Sequence, residues 1–142
     1  MASQWQMDSK CEQALKSSNF RSGLKVIKEG TQSLQRMTAV LSDDQFDRAI
    51  LVLWQGGVAL NEVNKLSTLL QLNSMIAPQR RSDASELISI NLEASASILK
   101  TVAEQIDTSI LLFKNAGFRE ELRLVRGAIQ DISASLISCK RG

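Results

Sequence analysis

A chain of 142 residues has the length of a single folded domain, and its net charge of +2, 44% apolar residues and 23% charged residues are typical of a globular protein. Aromatic residues make up only 4%, tyrosine is absent and proline occurs once, at Pro78, which argues against a sheet-rich fold. Histidine is also absent, and this excludes Ser-His-Asp triads, Cys-His pairs and the Glu-x-x-His motif of di-iron bundles.

Other motifs that carry chemistry are missing as well. Cys11 and Cys139 lie 128 positions apart, so they do not provide the ligand spacing of a zinc site. No glycine-rich string of the kind that cradles phosphate is present. We therefore expect a protein that is not an enzyme and has no metal or cofactor. A catalyst built on Arg, Lys and Glu would need convergent charges inside the fold.

The chain begins with a short helical pattern over residues 8–18, and a long one follows over 20–41. The two patterns differ in register, so residues 17–19 are predicted to form a kink or a break. The core-facing repeat predicted for the long helix recurs at every third or fourth position, at Phe20, Leu24, Ile27, Thr31, Leu34, Thr38 and Leu41. The predicted helix also contains Gly23 and Gly30, each of which costs about 1 kcal/mol relative to alanine inside a helix.

A second long helix is predicted over 43–72. Ser42 and Gln45 have the spacing of a capping box, in which the Ser42 hydroxyl accepts from the Gln45 amide and the Gln45 side chain reaches back. The predicted core-facing repeat is Phe46, Ile50, Leu53, Gly57, Leu60, Val63, Leu66 and Leu70.

Two more helices are predicted over 83–114 and 117–139. Asp83 and Glu86 repeat the capping device after a polar loop, and residues 115–117 supply a stop between the two helices. The third repeat is Ile88, Leu92, Ser95, Leu99, Val102, Ile106, Ser109 and Phe113. The fourth is Phe118, Leu122, Val125, Ile129, Ile132, Leu136 and Cys139, whose alternating spacing of four and three is typical of a coiled-coil seam.

These patterns predict one all-α domain over residues 1–142. Short connections force neighbouring helices to run antiparallel, so the expected fold is an up-down-up-down four-helix bundle of long helices with a short extra N-terminal helix. The alternative is an open three-helix core whose fourth helix swaps into a partner.

The two cysteines are expected to be free thiols, although the bundle places Cys11 and Cys139 at the same end, where a disulfide is geometrically feasible. The polar N-terminus lacks the layout of a secretion signal, and no Asn-X-Ser/Thr acceptor occurs. These features favour a cytoplasmic protein, with a nuclear location as the alternative.

An apolar surplus points to function. Residues 49–54 and 110–113 are apolar around the whole helix, more than one bundle face can bury, and the topology gathers both runs at one end. One interpretation is that Trp5 or a kinked first helix covers them. The other is a surface for a partner helix or a second copy, which predicts a scaffold or adaptor that forms a homo-oligomer. The predicted interface residues are Ile50, Leu51, Trp54, Gly57, Leu111, Leu112 and Phe118.

The alternative function rests on charge. Residues 1–41 carry a net charge of +3 and residues 115–142 carry +2, whereas 42–73 carry −2 and 83–114 carry −3. A basic side formed by the first and fourth long helices would bind a membrane surface or nucleic acid. The residues predicted for this anionic partner are Arg21, Lys25, Lys28, Arg119, Arg123 and Arg126.

Overall fold

The computed structural model describes residues 4–141 and is built from α-helices. In chain order these are α1 Ser9–Lys16, α2 Ser18–Met37, α3 Asp43–Met75, α4 Arg81–Ile110 and α5 Ala116–Ser135. Short 3-10 turns lie at Thr38–Val40, Pro78–Arg80 and Leu136–Cys139. The described residues contain no β-strand, but one antiparallel bridge pairs Trp5 with Lys140. None of the described helices is both long and apolar enough to cross a membrane.

The predicted break between α1 and α2 is confirmed, and it centres on Ser17. This residue has an extended backbone, with φ −65° and ψ 156°, and it ends one helix and begins the next. Its hydroxyl donates to the Ala14 carbonyl at 2.7 Å and accepts from the Phe20 amide at 3.2 Å. One side chain therefore satisfies backbone groups of both helices.

The predicted capping boxes at Ser42 and Asp83 were wrong. The Ser42 hydroxyl donates to Asp44 Oδ1 at 2.7 Å and makes no cap bond. The acid-rich first turn of α3 competes for this hydroxyl, which also lowers the pKa of Asp44. Helix α4 starts at Arg81, before Asp83, which instead pairs with Arg80 Nε at 2.7 Å.

The connection between α4 and α5 also differs from the prediction. Helix α4 ends at Ile110 rather than at residue 114. Asn115 does not stop this helix but caps the next one, because its Oδ1 accepts from the Phe118 amide at 2.9 Å. The residues between Ile110 and Asn115 are thereby left in a turn, in which Leu111 and Leu112 are exposed.

The four long helices pack side by side, with contacts between α2 and α5, α5 and α4, α4 and α3, and α3 and α2. The most extensive contact joins α2 to α5. A Cβ atom at Gly23 would lie 2.8 Å from Ile132 Cγ1, and one at Gly30 would lie closer still to Val125 Cγ2. The two glycines, unfavourable in an isolated helix, therefore allow α2 to approach α5 closely.

The third and fourth predicted repeats are confirmed as core seams. Every residue of the fourth is buried, and every residue of the third is buried except Ser109, which is half-buried. In the first repeat the large residues Phe20, Ile27 and Leu34 are buried. The apolar buried residues of all the helices form one cluster.

The two ends of the described chain are fastened together. Cys11 and Cys139 form a disulfide with their Cα atoms 4.4 Å apart, which corrects the expectation of free thiols. The Gln6 amide donates to the Cys139 carbonyl at 2.8 Å, and Arg141 Nε donates to Asp8 Oδ2 at 2.7 Å. The segment before α1 thus lies along the turn that follows α5, and this brings the cysteines together.

Candidate protein-interaction surface

The first half of α3 turns its small residues inward and its large apolar residues outward. The inward positions are Gln45, Ala49, Val52, Gly56 and Ala59, all buried. The outward positions include Phe46, Ile50, Leu51 and Trp54, with exposed fractions of 42%, 47%, 67% and 75%. The core-facing repeat predicted from Phe46 was therefore wrong by one residue over this stretch. A helix ordinarily buries its large apolar face, so this stretch departs from normal patterning.

Two leucines of the turn after α4 add to the outward apolar residues of α3. Leu111 is 80% exposed and Leu112 is 48% exposed. We call the set Ile50, Leu51, Trp54, Leu111 and Leu112 the Trp54 surface. Gly57 continues it along α3, and a Cβ atom placed there would meet nothing within 4 Å. The Trp54 surface is thus a row of large side chains followed by open space.

Gln45 holds the two parts of the Trp54 surface together. Its Nε2 donates to the Leu112 carbonyl at 3.0 Å, and its Oε1 accepts from the Lys114 amide at 2.9 Å. Behind the turn, Phe113 and Phe118 are buried and their ring centroids lie 4.5 Å apart. This anchoring fixes Leu111 and Leu112 beside the start of α3 with their side chains toward solvent. The sequence placed Gln45 in a helix cap and so missed this role.

Replacing Gln45 by Ala is expected to lower the free energy of unfolding by about 1–2 kcal/mol, because two backbone groups of the turn lose their partner. Chemical denaturation of the variant measures this loss. Gln71→Ala changes an exposed glutamine on the same helix and serves as the control, with an expected effect within about 0.5 kcal/mol. Equal stability of the two variants would contradict the role given to Gln45.

Six of the seven predicted interface residues are exposed, including Gly57, but Phe118 is not. Phe118 is fully buried against Phe113, so it belongs to the core and is removed from the candidate surface. Trp5 does not provide the cover that the alternative interpretation gave it. Trp5 pairs with Lys140 beside the disulfide, at the end of the molecule opposite the start of α3.

Exposed apolar residues are concentrated on the side of the molecule formed by α3 and α4. Helix α2 exposes no large apolar side chain and α5 exposes only Leu124. On α3 and α4 the exposed set is Phe46, Ile50, Leu51, Trp54, Leu72, Met75, Leu87, Ile90 and Ile98. The last five were missed from the sequence because none of them lies in a long apolar run. The signal that could have shown them is their position opposite the buried repeat.

The basic residues of the alternative function are placed differently on the two helices. Arg21, Lys25 and Lys28 are exposed on α2. The three arginines of α5 already have protein partners. Arg119 Nη1 donates to the Phe113 carbonyl at 3.3 Å, Arg123 pairs with Glu120, and Arg126 pairs with Asp107 of α4. The two helices therefore do not present a joint row of unengaged cations.

The described core contains one buried carboxylate rather than a convergent set of charges. Among residues 4–141 the buried polar residues are Gln45, Glu62, Asn73, Ser89 and Ser95. Glu62 pairs with Lys65 Nζ at 3.1 Å, and Asn73 Nδ2 donates to Glu12 Oε1 at 2.6 Å. The first bond lies within α3 and the second joins α3 to α1, and the two do not converge on a common point.

Comparison of the chain with protein-family models, with curated proteins and with solved structures finds no match.

Proposed function

We propose that this protein is a non-catalytic protein-interaction module, a scaffold or assembly subunit that buries the Trp54 surface against a helix of another protein or of a second copy. We further propose that α2, α3, α4 and α5 are ordered up-down-up-down as an antiparallel four-helix bundle. Such a bundle would hold the surface on rigid elements and leave the partner to supply the apolar cover.

The observation that carries this proposal is the inverted patterning of α3. Rotating the first half of α3 by one residue position would turn its large apolar residues toward the core. Instead, Ala49, Gly56 and Ala59 occupy the core-facing positions. Single exposed apolar residues are common on protein surfaces, but a contiguous group of large ones is typical of contact sites. Tryptophan is also one of the residues enriched among interface residues whose truncation costs the most binding free energy.

The gain from covering Trp54 is large enough to support association. A tryptophan buries 150–250 Å² when enclosed, so covering an additional ~150 Å² of indole at about 25 cal/mol per Å² contributes roughly 4 kcal/mol before the costs of association. Leu51 and Leu111 add to this gain because their side chains are 67% and 80% exposed.

A photo-reactive amino acid at position 51 tests the proposal in cells that express the protein. We expect it to form covalent adducts with another polypeptide, which gel electrophoresis detects as a shift in mass. Position 25, where exposed Lys25 lies on α2, provides the control and should form few adducts. Adducts at neither position, or equally at both, would count against an interaction surface centred on Trp54. Irradiation of a lysate at high salt should still form the position-51 adducts, since apolar burial is only weakly screened by salt.

A further inference from the structure

The outward face of α3 carries a regular stripe that continues beyond the Trp54 surface. Its exposed residues alternate in spacing between four and three, at Asp43, Asp47, Ile50, Trp54, Gly57 and Asn61. The next position of this pattern is the exposed Asn64. Lys65 flanks it, and its side chain keeps 33% of its accessible area. This spacing is that of a coiled-coil seam, here facing solvent instead of the core. The stripe is acidic at its start and apolar in the middle, and Lys65 flanks its far end.

We propose that the occupant of the Trp54 surface is a second copy of this chain, whose α3 lies antiparallel across the same stripe about a two-fold axis. This inference rests on the proposed function and names its partner. In an isologous contact residue i meets residue j and residue j meets residue i. The stripe is complementary to itself only when reversed, because reversal brings Asp43 and Asp47 to the Lys65 that flanks the far end of the other copy.

The apolar middle of the stripe matches this arrangement. With the two-fold axis midway between Trp54 and Gly57, each Trp54 side chain lies over Gly57 of the other copy. The space at Gly57 is open, with nothing within 4 Å of a Cβ position, so a large side chain can rest on its backbone. Each copy thus supplies one knob, Trp54, and one site that receives the knob of the other copy, Gly57.

The charges fix the direction. The antiparallel arrangement places Asp43 and Asp47 near Lys65 of the second copy, where opposite charges attract. Lys65 already contacts Glu62 at 3.1 Å, and the added carboxylates would extend this pair into a small network. A parallel arrangement would instead set aspartates against aspartates and lysine against lysine. This repulsion between like charges disfavours the parallel dimer.

Spin labels on α3 of the full-length protein measure the arrangement directly. Cys11 and Cys139 are joined and buried, so a label reacts with a single introduced cysteine. In the antiparallel dimer the distance between identical labels grows by about 3 Å per residue from the axis, which gives roughly 26 Å for Asn64→Cys and roughly 38 Å for Thr68→Cys. A parallel dimer would give the same short distance, about 10 Å, at both positions.

Sedimentation equilibrium supplies the matched test of the contacts. Trp54→Ser should weaken the dimer strongly, whereas Leu124→Ser, which alters an exposed leucine on α5, should leave it unchanged. Lys65→Glu should weaken the dimer about three- to tenfold, and adding Asp43→Lys and Asp47→Lys to it should restore most of the loss.

The outcomes separate this inference from the proposed function. Increasing label distances together with rescue by charge reversal support the antiparallel dimer. Equal short distances, or a wild-type protein that stays monomeric at all concentrations, overturn it. In the monomeric case, adducts from position 51 with a different polypeptide would still support the interaction module, whereas their absence would remove both.

Discussion

Replacing Cys11 and Cys139 together by Ala is expected to lower the free energy of unfolding by about 3 kcal/mol, the largest single effect that we predict. The two residues are 128 positions apart, so their bond closes nearly the whole chain into a loop. A cross-link across such a long loop restricts the unfolded chain most, and the chain-entropy estimate for ~100 residues approaches 5 kcal/mol. Strain and residual structure usually reduce the measured value, hence the lower figure.

Thermal unfolding with and without a reductant measures this prediction. The wild-type melting temperature should fall by roughly 10 °C in reductant, as the scaling for a domain of this size implies, and the double-alanine variant should not respond. Both cysteines are fully buried, so alanine avoids the unpaired hydroxyl that serine would bring into the core. Equal melting temperatures for the oxidised and reduced wild type would contradict the stabilising role of the disulfide.

The loss should begin at the ends of the chain. Without the bond, the segment before α1 is held by its hydrogen bonds to Cys139 and Arg141. The Arg141 guanidinium donates to Asp8 and holds the pKa of that carboxyl below its ordinary value. The resulting stabilisation is present above the ordinary aspartate pKa and is lost as the pH falls through the lowered one. Protection of the amides, which is their exchange rate relative to the intrinsic rate at the same pH, should therefore be lowest in α1 of the reduced protein and lower again in acid.

The disulfide also bears on location. Cytosolic thiols are kept reduced by glutathione and thioredoxin, whereas disulfides persist in oxidising compartments. A cytoplasmic location was expected from the polar N-terminus and from the lack of glycosylation acceptors, and it remains a prediction. Measuring the oxidation state of Cys11 and Cys139 in rapidly acid-quenched cells would show which environment the protein meets.

The parts of the fold that could be predicted are those where large apolar residues face the core. The seam from Phe118 to Cys139 was predicted in full, because each core position carries a bulky or apolar side chain. The seam of α3 could not be found in the same way. In its first half the core positions are mostly small or polar and the large residues face solvent, so periodicity alone chose the wrong side. In its second half the predicted Val63 and Leu66 are buried.

Local sequence motifs predicted the wrong hydrogen bonds where a group distant in the chain bonds the same side chain. Gln45 has the spacing of a capping box, but its amide bonds the turn around Leu112, 67 positions away in the chain. The disulfide is a similar case, since only the packed position of α1 brings Cys11 beside Cys139. The exposure of Leu51 and Trp54 could be predicted more accurately than the core of α3. Composition alone showed that residues 49–54 hold more apolar side chains than one face can bury.

Gly30 and Gly127 are expected to respond to alanine with opposite signs. Gly30→Ala should lower the free energy of unfolding by about 2 kcal/mol, because the new methyl group collides with Val125 across the contact between α2 and α5. Gly127→Ala should raise it by up to about 1 kcal/mol, since nothing lies within 4 Å of that Cβ position and alanine favours a helix. Urea denaturation of the two variants should thus differ by about 3 kcal/mol.

Val125→Ala identifies the cause of the expected loss at Gly30. The valine variant alone should be destabilised by the space it leaves in a packed core. Combined with Gly30→Ala it should cost less than the two losses added together, since the alanine methyl group then fills part of that space. Additive losses, or a stabilising Gly30→Ala, would mean that α2 and α5 adjust their spacing freely. In that event Gly30 would not be needed for their close approach.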